Sequence, residues 1–178
     1  MALQTKTYET GDYSLNSLSN GYKIHLTLTE ESTSTSNNTS LITYTFSISN
    51  TDNTSAWTGG KIEFSWSISI GGQTIPIYNF FFELNEPYTT QIITYGQITV
   101  AHNSDGTLSM PFSASIPDVQ NRVSEGPPAM TIEGTMDLTP IAVTPATIPV
   151  LFNGTQLNSV VFNGQHVTQL IFNGTTVY

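Results

Sequence analysis

Residues 62–76 read Ile62-Glu-Phe-Ser-Trp-Ser-Ile-Ser-Ile-Gly-Gly-Gln-Thr-Ile-Pro76, and this stretch decides the fold class. Ile62, Phe64, Trp66, Ile68 and Ile70 occupy alternate positions, with glutamate or serine between them. A period of two built from β-branched and aromatic residues is strand geometry, because successive side chains leave a strand on opposite faces. Gly71-Gly72 follows as a pair that tolerates the positive φ angles of a tight hairpin turn. Pro76, in the return strand, has no N–H to give a ladder and predicts an edge or a bulge.

The alternation extends both ways from this hairpin. Upstream, Tyr22, Ile24, Leu26 and Leu28 form one face, Thr29 to Thr39 reads as a polar loop, and Ile42, Tyr44, Phe46 and Ile48 alternate with Thr and Ser. Asn50 to Ser55 is turn chemistry. Downstream, Asn79 to Leu84 is rich in aromatics, Ile92 to Ala101 is the next strand, and Leu108, Met110, Phe112, Ala114 and Ile116 mark another. Asp105-Gly106 between those two predicts a hairpin. Met130, Ile132, Met136 and Leu138 close the series, and no stretch combines helical spacing with a cap. About seven or eight strands at these intervals predict an all-β fold, an immunoglobulin-like antiparallel β-sandwich over residues 1–139.

From Thr139 to Pro149 the chain has three prolines and no glycine, which predicts an extended, semi-rigid connector over residues 140–149. Residues 150–178 then repeat every ten positions, with Phe152-Asn-Gly154, Phe162-Asn-Gly164 and Phe172-Asn-Gly174 as the recurring core. A two-residue turn at each Asn-Gly pairs Phe152 with Thr155 and Val150 with Leu157. Continued through Asn158-Ser159, this register puts Phe152, Leu157, Phe162, Val167, Phe172 and Val177 on one apolar face. The same spacing also permits a short β-solenoid. Strands this short bury too little surface to offset the entropy of ordering them. The repeat is therefore expected to be an oligomerisation or docking module, most simply trimeric, with the sandwich as the other surface it could cover.

The 178 residues carry a net charge of -9, and the basic side chains are Lys6, Lys23, Lys61 and Arg122 alone, scattered along the chain. Nothing in that set could neutralise a run of phosphates, so nucleic acid is not an expected partner. Absent cysteine excludes disulfides and thiolate metal sites. No apolar run approaches the roughly twenty residues of a membrane helix, and Met1 to Thr10 has no apolar signal region. Only 10% of residues are charged, while Ser, Thr, Asn and Gly supply the polarity. That is the habit of extracellular and virion β-proteins, and without an export signal it implies release by lysis.

Catalytic signals are weak. No Gly-x-Ser-x-Gly elbow occurs, His25, His102 and His166 lie in separate elements, and Glu63, Glu83, Glu86 and Glu133 show no pairing along the chain. The chain is read as a non-enzyme without cofactor or metal. Asn103, Asp105 and the Asn50–Asn53 loop offer oxygen ligands to calcium without completing a loop motif, and turn chemistry accounts for them. Aromatic rings near turns are the natural saccharide platforms, since a sugar's C–H face packs on a ring while its hydroxyls bond to amides. Trp57, between a polar loop and Gly59-Gly60, is the first candidate, with Tyr88 and Tyr95 next. Trp66, mid-strand on the apolar face, reads as core.

Three segments carry a resemblance: Asn38-Thr-Ser-Leu-Ile-Thr-Tyr44, Phe64-Ser-Trp-Ser-Ile-Ser-Ile-Gly-Gly72, and Ile98-Thr-Val-Ala-His-Asn-Ser-Asp-Gly-Thr107. In this order they resemble a family of siphophage minor tail or receptor-binding proteins from phages of Gram-positive bacteria. The His-Asn-x-Asp-Gly-Thr piece is the most specific, and the likeness runs over roughly residues 10–138. The Phe-Asn-Gly units resemble short repeats of phage tail and fibre proteins. The resemblance implies a virion component, at a tail tip, baseplate or fibre, with other virion proteins as partners and host cell-wall polysaccharide as ligand. A purely structural decoration, collar or connector protein is the alternative.

Overall fold

The computed structural model describes residues 3–10, 13–15, 20–51, 63–83, 89–119 and 126–142, together with the short strand segments of the C-terminal repeat. The chain divides into two compact units, Met1–Val143 and Thr144–Tyr178.

Among the described residues the first unit contains only strands: β1 (Gln4–Glu9), β2 (Tyr13–Leu15), β3 (Asn20–Ser34), β4 (Thr39–Asn50), β5 (Phe64–Ile70), β6 (Gln73–Phe80), β7 (Thr90–Ala101), β8 (Ser109–Ile116) and β9 (Met130–Asp137). They form two antiparallel sheets, ordered β1-β3-β4-β7, with β2 also on β3, and β6-β5-β8-β9. If β3, β4 and β7 are matched to A, B and E of an immunoglobulin-type sandwich, then β5, β6, β8 and β9 fall on C, C′, F and G. β1 and β2 are additions on the free side of β3.

The core follows the alternation. Tyr22, Ile24, Leu26 and Leu28 from β3 and Ile42, Tyr44, Phe46 and Ile48 from β4 are buried against Ile68, Ile70, Met110, Phe112, Ala114, Ile116 and Ile132 of the facing sheet. Large side chains of this kind contribute about 1.5–3 kcal/mol each when fully buried. Trp66 packs into an aromatic cluster, parallel to Phe82 at 6.0 Å and edge-on to Phe80 at 5.7 Å. Its indole N–H donates to the Ser115 carbonyl at 2.6 Å, which satisfies the polar end of a mostly apolar ring.

Gly71 and Gly72 have φ of 59° and 75°, as the β5–β6 hairpin requires, and β6 with Pro76 is an edge strand. Two expectations are corrected. The segment from Thr29 is not a loop: β3 runs to Ser34, passes a bulge between Glu30 and Ser32, and turns only at residues 35–38. Nor is Asp105-Gly106 a hairpin turn, because β7 pairs with β4 and β8 with β5 and β9. Residues 102–107 are a corner between the sheets, closed on itself by Asn103 N to Thr107 O at 2.8 Å and Gly106 N to Asn103 O at 2.9 Å. Ile141 is buried and donates its N–H to Gly106 O, so the first residues of the expected 140–149 connector still belong to the sandwich unit.

In the second unit Phe152 pairs with Thr155, Phe162 with Gln165 and Phe172 with Thr175, the register of a two-residue turn at each Asn-Gly. Each hairpin is its own two-stranded sheet among the described residues. Leu157, Val167 and Val177 lie outside the described residues.

Candidate functional site

The face of the β1-β3-β4-β7 sheet that points away from the core is built from hydroxyls. Register places Thr7, Thr27, Thr45 and Tyr95 in one row across the four strands, and Thr5, Thr29, Thr43 and Gln97 in the next. Neighbours in such rows stand about 5 Å apart. Thr5 and Thr29 hydroxyls are hydrogen-bonded at 3.1 Å, Thr7 and Thr27 at 3.0 Å, and Gln97 Nε2 donates to Thr43 Oγ1 at 3.2 Å. These two rows contain no charged side chain.

Tyr95 ends the first row with 74% of its surface exposed, and Ile92, on the same strand, is 55% exposed. Charge lies beyond the two rows at either end: at one, Glu9 meets Lys23 at 3.4 Å and His25 at 3.2 Å, with His25 Nε2 2.7 Å from Ser49 Oγ, and at the other β3 carries Glu31 at its bulge. The middle of the face is thus an uncharged hydroxyl and amide surface with one protruding phenol. Such a surface suits a ligand that is itself neutral and hydroxylated, stacking a C–H face on the ring. Of the three aromatic candidates, Tyr95 stands here, whereas Trp57 and Tyr88 lie outside the described residues. Phe152, Phe162 and Phe172 lie in the repeat's hairpins, which belong to the other unit.

Beneath one end of the sheet is a buried polar cluster that sequence reading missed. Glu30 is fully buried, and its carboxylate accepts from Gln4 Nε2 at 2.9 Å, Ser40 Oγ at 2.8 Å, Thr139 N at 3.0 Å and Thr139 Oγ1 at 2.8 Å. Burial pushes its pKa up, but the hydrogen bonds from Gln4, Thr139 and Ser40 outweigh this and hold it below the ordinary glutamate value. Ser40 Oγ also lies 2.7 Å from His102 Nε2, and His102 Nδ1 lies 2.8 Å from Gly106 O, a carbonyl that can only accept. In a hydrolytic triad the histidine stands between serine and carboxylate. Here serine stands between the other two and all three are buried, so the cluster holds structure together.

The most specific sequence motif is explained by that corner. Asn38, with φ of 51°, donates from Nδ2 to His102 O at 3.2 Å and Asn103 O at 2.8 Å, which ties the β3–β4 turn to the β7–β8 corner. Asp105 Oδ1 accepts from Thr107 Oγ1 at 2.7 Å and Thr107 N at 2.9 Å. Hydrogen bonds from the Thr107 side chain and main chain lower the Asp105 pKa. Among the described residues no group of three or more His, Asp or Glu side chains is placed to hold a metal ion.

Two antiparallel sheets packed over one core, on a chain without cysteine, define an all-β sandwich domain. The family model for a siphovirus protein of unknown function (DUF859) matches residues 11–157. The chain belongs to that family and is a bacteriophage protein. The match begins after β1, covers the rest of the sandwich and the connector, and takes in the first Phe-Asn-Gly. No curated protein and no solved structure matches the chain.

Proposed function

We propose that this phage protein is a virion component of a tail or fibre that attaches the particle to host-surface glycan through the outer face of the β1-β3-β4-β7 sheet. The observation that carries the reading is Tyr95, 74% exposed at the end of a threonine row on a face without charge there. A flat face of this kind binds one sugar weakly. Several copies brought together by the Phe-Asn-Gly repeat, through Phe152, Phe162 and Phe172 and the intervening Leu157, Val167 and Val177, multiply that affinity by avidity. The work is binding rather than turnover. Purified full-length protein is expected to adsorb to host cells and to compete with phage for adsorption, and to lose both after periodate oxidation of the walls. Absence of adsorption and competition together removes the proposal.

A second reading is a purely structural decoration, collar or connector protein. It is favoured by the separate hairpins of the repeat, each with a first strand of two apolar residues. Tight binding to another virion protein, with no affinity for cell walls, distinguishes it. A glycan hydrolase would instead release reducing ends from host polysaccharide.

A further inference from the structure

The two long sides of the sandwich are closed differently. On one side β1 reaches across to β9: Gln4 Nε2 donates to Asp137 O at 2.9 Å and Tyr8 Oη to Thr135 O at 3.3 Å. These edge strands also carry charge, Lys6 and Glu9 on β1 and Glu133 and Asp137 on β9. On the other side β6 is blunted by Pro76 and by the positive φ of Asn79, with a register shift against β5. Charged side chains, proline and bulges are the usual means by which a sheet edge refuses another strand.

β7 has neither charge nor proline over its twelve residues. Its ends are occupied. Gln91 Nε2 donates to Phe81 O at 2.6 Å and Gln91 Oε1 accepts from Glu83 N at 2.8 Å, while Gln73 Nε2 holds Thr99 O at 2.7 Å. A bulge at Ile93 interrupts the ladder, since Phe46 pairs with Thr94 and Ser47 with Ile92. Between that bulge and Thr99 the outer edge is open among the described residues.

The direction of its groups follows from two bonds. In an antiparallel strand the N–H and C=O of one residue point the same way, and successive residues alternate. His102 N bonds to Asn38 O, which extends the β4 pairing, so Val100, Ile98 and Gly96 also point toward β4. Thr99 O, taken from the far side by Gln73, agrees. Tyr95 and Gln97 therefore present their main-chain donors and acceptors to the open edge.

We propose that β7 pairs antiparallel with β7 of a second copy of this chain, about a two-fold axis at Gly96. Gly96 is midway between the bulge at Ile93 and the occupied Thr99, so this register uses the open groups of both copies and no blocked ones. Tyr95 then exchanges two hydrogen bonds with Gln97 of the second copy, and Gln97 with its Tyr95. A second copy is the fitting occupant because a chain of net charge -9 can approach itself along a neutral edge, whereas β9 against β9 would bring carboxylates together. The axis is perpendicular to the sheet, so the threonine rows of both copies continue as one surface with the two Tyr95 rings near its centre. The pairing does not depend on any ligand of that face.

The chain has no cysteine, so paired single-cysteine variants report the register directly. In this register residues 95 and 97 of opposite copies have Cα atoms about 5.5 Å apart, within disulfide range, while 95 and 95 are diagonal at roughly 7–8 Å. Full-length Tyr95→Cys and Gln97→Cys proteins are mixed under mild oxidation and run without reductant. The mixture is expected to give covalent dimer in severalfold greater yield than either variant alone. Equal yields in all three samples, or no dimer in any, would overturn the proposal. As a second readout on unsubstituted protein, amide exchange at Tyr95 and Gln97 is expected to slow as protein concentration rises, and concentration-independent exchange there counts against the pairing.

Discussion

Replacing Glu30 by alanine removes the acceptor on which both ends of the sandwich unit converge. Gln4 Nε2, Thr139 N, Thr139 Oγ1 and Ser40 Oγ all donate to this one carboxylate, at 2.8–3.0 Å. A hydrogen bond to a charged group contributes roughly 1.5–3 kcal/mol. Gln4 and Thr139 are half-buried, so water recovers part of their loss, and Ser40 keeps His102 as a partner. The net cost is expected to be about 3–5 kcal/mol, since each buried donor left without its acceptor costs roughly 1–3 kcal/mol. For a unit of this size that lowers the melting temperature by roughly 10–15 °C. Glu30→Gln keeps the shape and one acceptor oxygen and is expected to cost about 1–2 kcal/mol. The sign of the pH dependence is fixed by the lowered pKa. The advantage of the native chain over Glu30→Gln is present above the ordinary glutamate value of 4.5 and is lost as pH falls through the lower folded value. Thermal denaturation by circular dichroism between neutral and acid pH measures both effects. A Glu30→Ala protein melting within about 3 °C of the native chain, or a Glu30→Gln difference that grows toward acid, would refute the reasoning.

Other outcomes follow from the same packing. A chain ending at Ala142 is expected to keep the melting temperature of the sandwich, whereas one ending at Leu138 loses the Thr139 bonds to Glu30 and the buried Ile141, and should melt distinctly lower in calorimetry. Gly71→Ala forces a Cβ to 2.5 Å from Val100 Cγ1 at a positive φ and is expected to cost about 1–3 kcal/mol in urea titration, while Gly72→Asn, with open space around it, should be nearly neutral. Gly96→Ala drives a Cβ to 2.7 Å from the Tyr44 hydroxyl and should also destabilise by about 1–3 kcal/mol.

Much of the fold was legible because the core strands alternate cleanly. Ile62–Ile70 and Tyr22–Leu28 announce one buried and one wet face, and Gly71-Gly72 has no good use other than a hairpin. β1 was not legible, because only Gln4 and Tyr8 turn in, with exposed Lys6 between them and one apolar ring in all, and the strand docks through the Gln4 and Tyr8 side chains. Glu30 was legible in principle: the Tyr22-Ile24-Leu26-Leu28 alternation, continued one step, points it into the core. A carboxylate there reads as the end of a strand, since its four donors come from residues up to 109 positions away. The Asp105-Gly106 corner misled because a turn sequence specifies a local reversal and not which sheet the chain enters next; Asn38 bonding to His102 O, and His102 to Ser40, fix the corner through contacts distant in sequence. Of the site, Tyr95 was a candidate as a ring near a turn, but it stands in mid-strand on β7, and the threonine rows beside it emerge only from cross-strand register.

The proposed recognition of host glycan by the outer face of the β1-β3-β4-β7 sheet rests on Tyr95. Surface plasmon resonance of full-length protein over immobilised host cell-wall polysaccharide, native chain against Tyr95→Ala, tests it most directly. Truncating a ring that anchors a weak contact costs about 1–2 kcal/mol, so the variant is expected to bind roughly 5–30-fold more weakly at unchanged melting temperature. Equal binding by the two proteins, or no binding by either, contradicts the account.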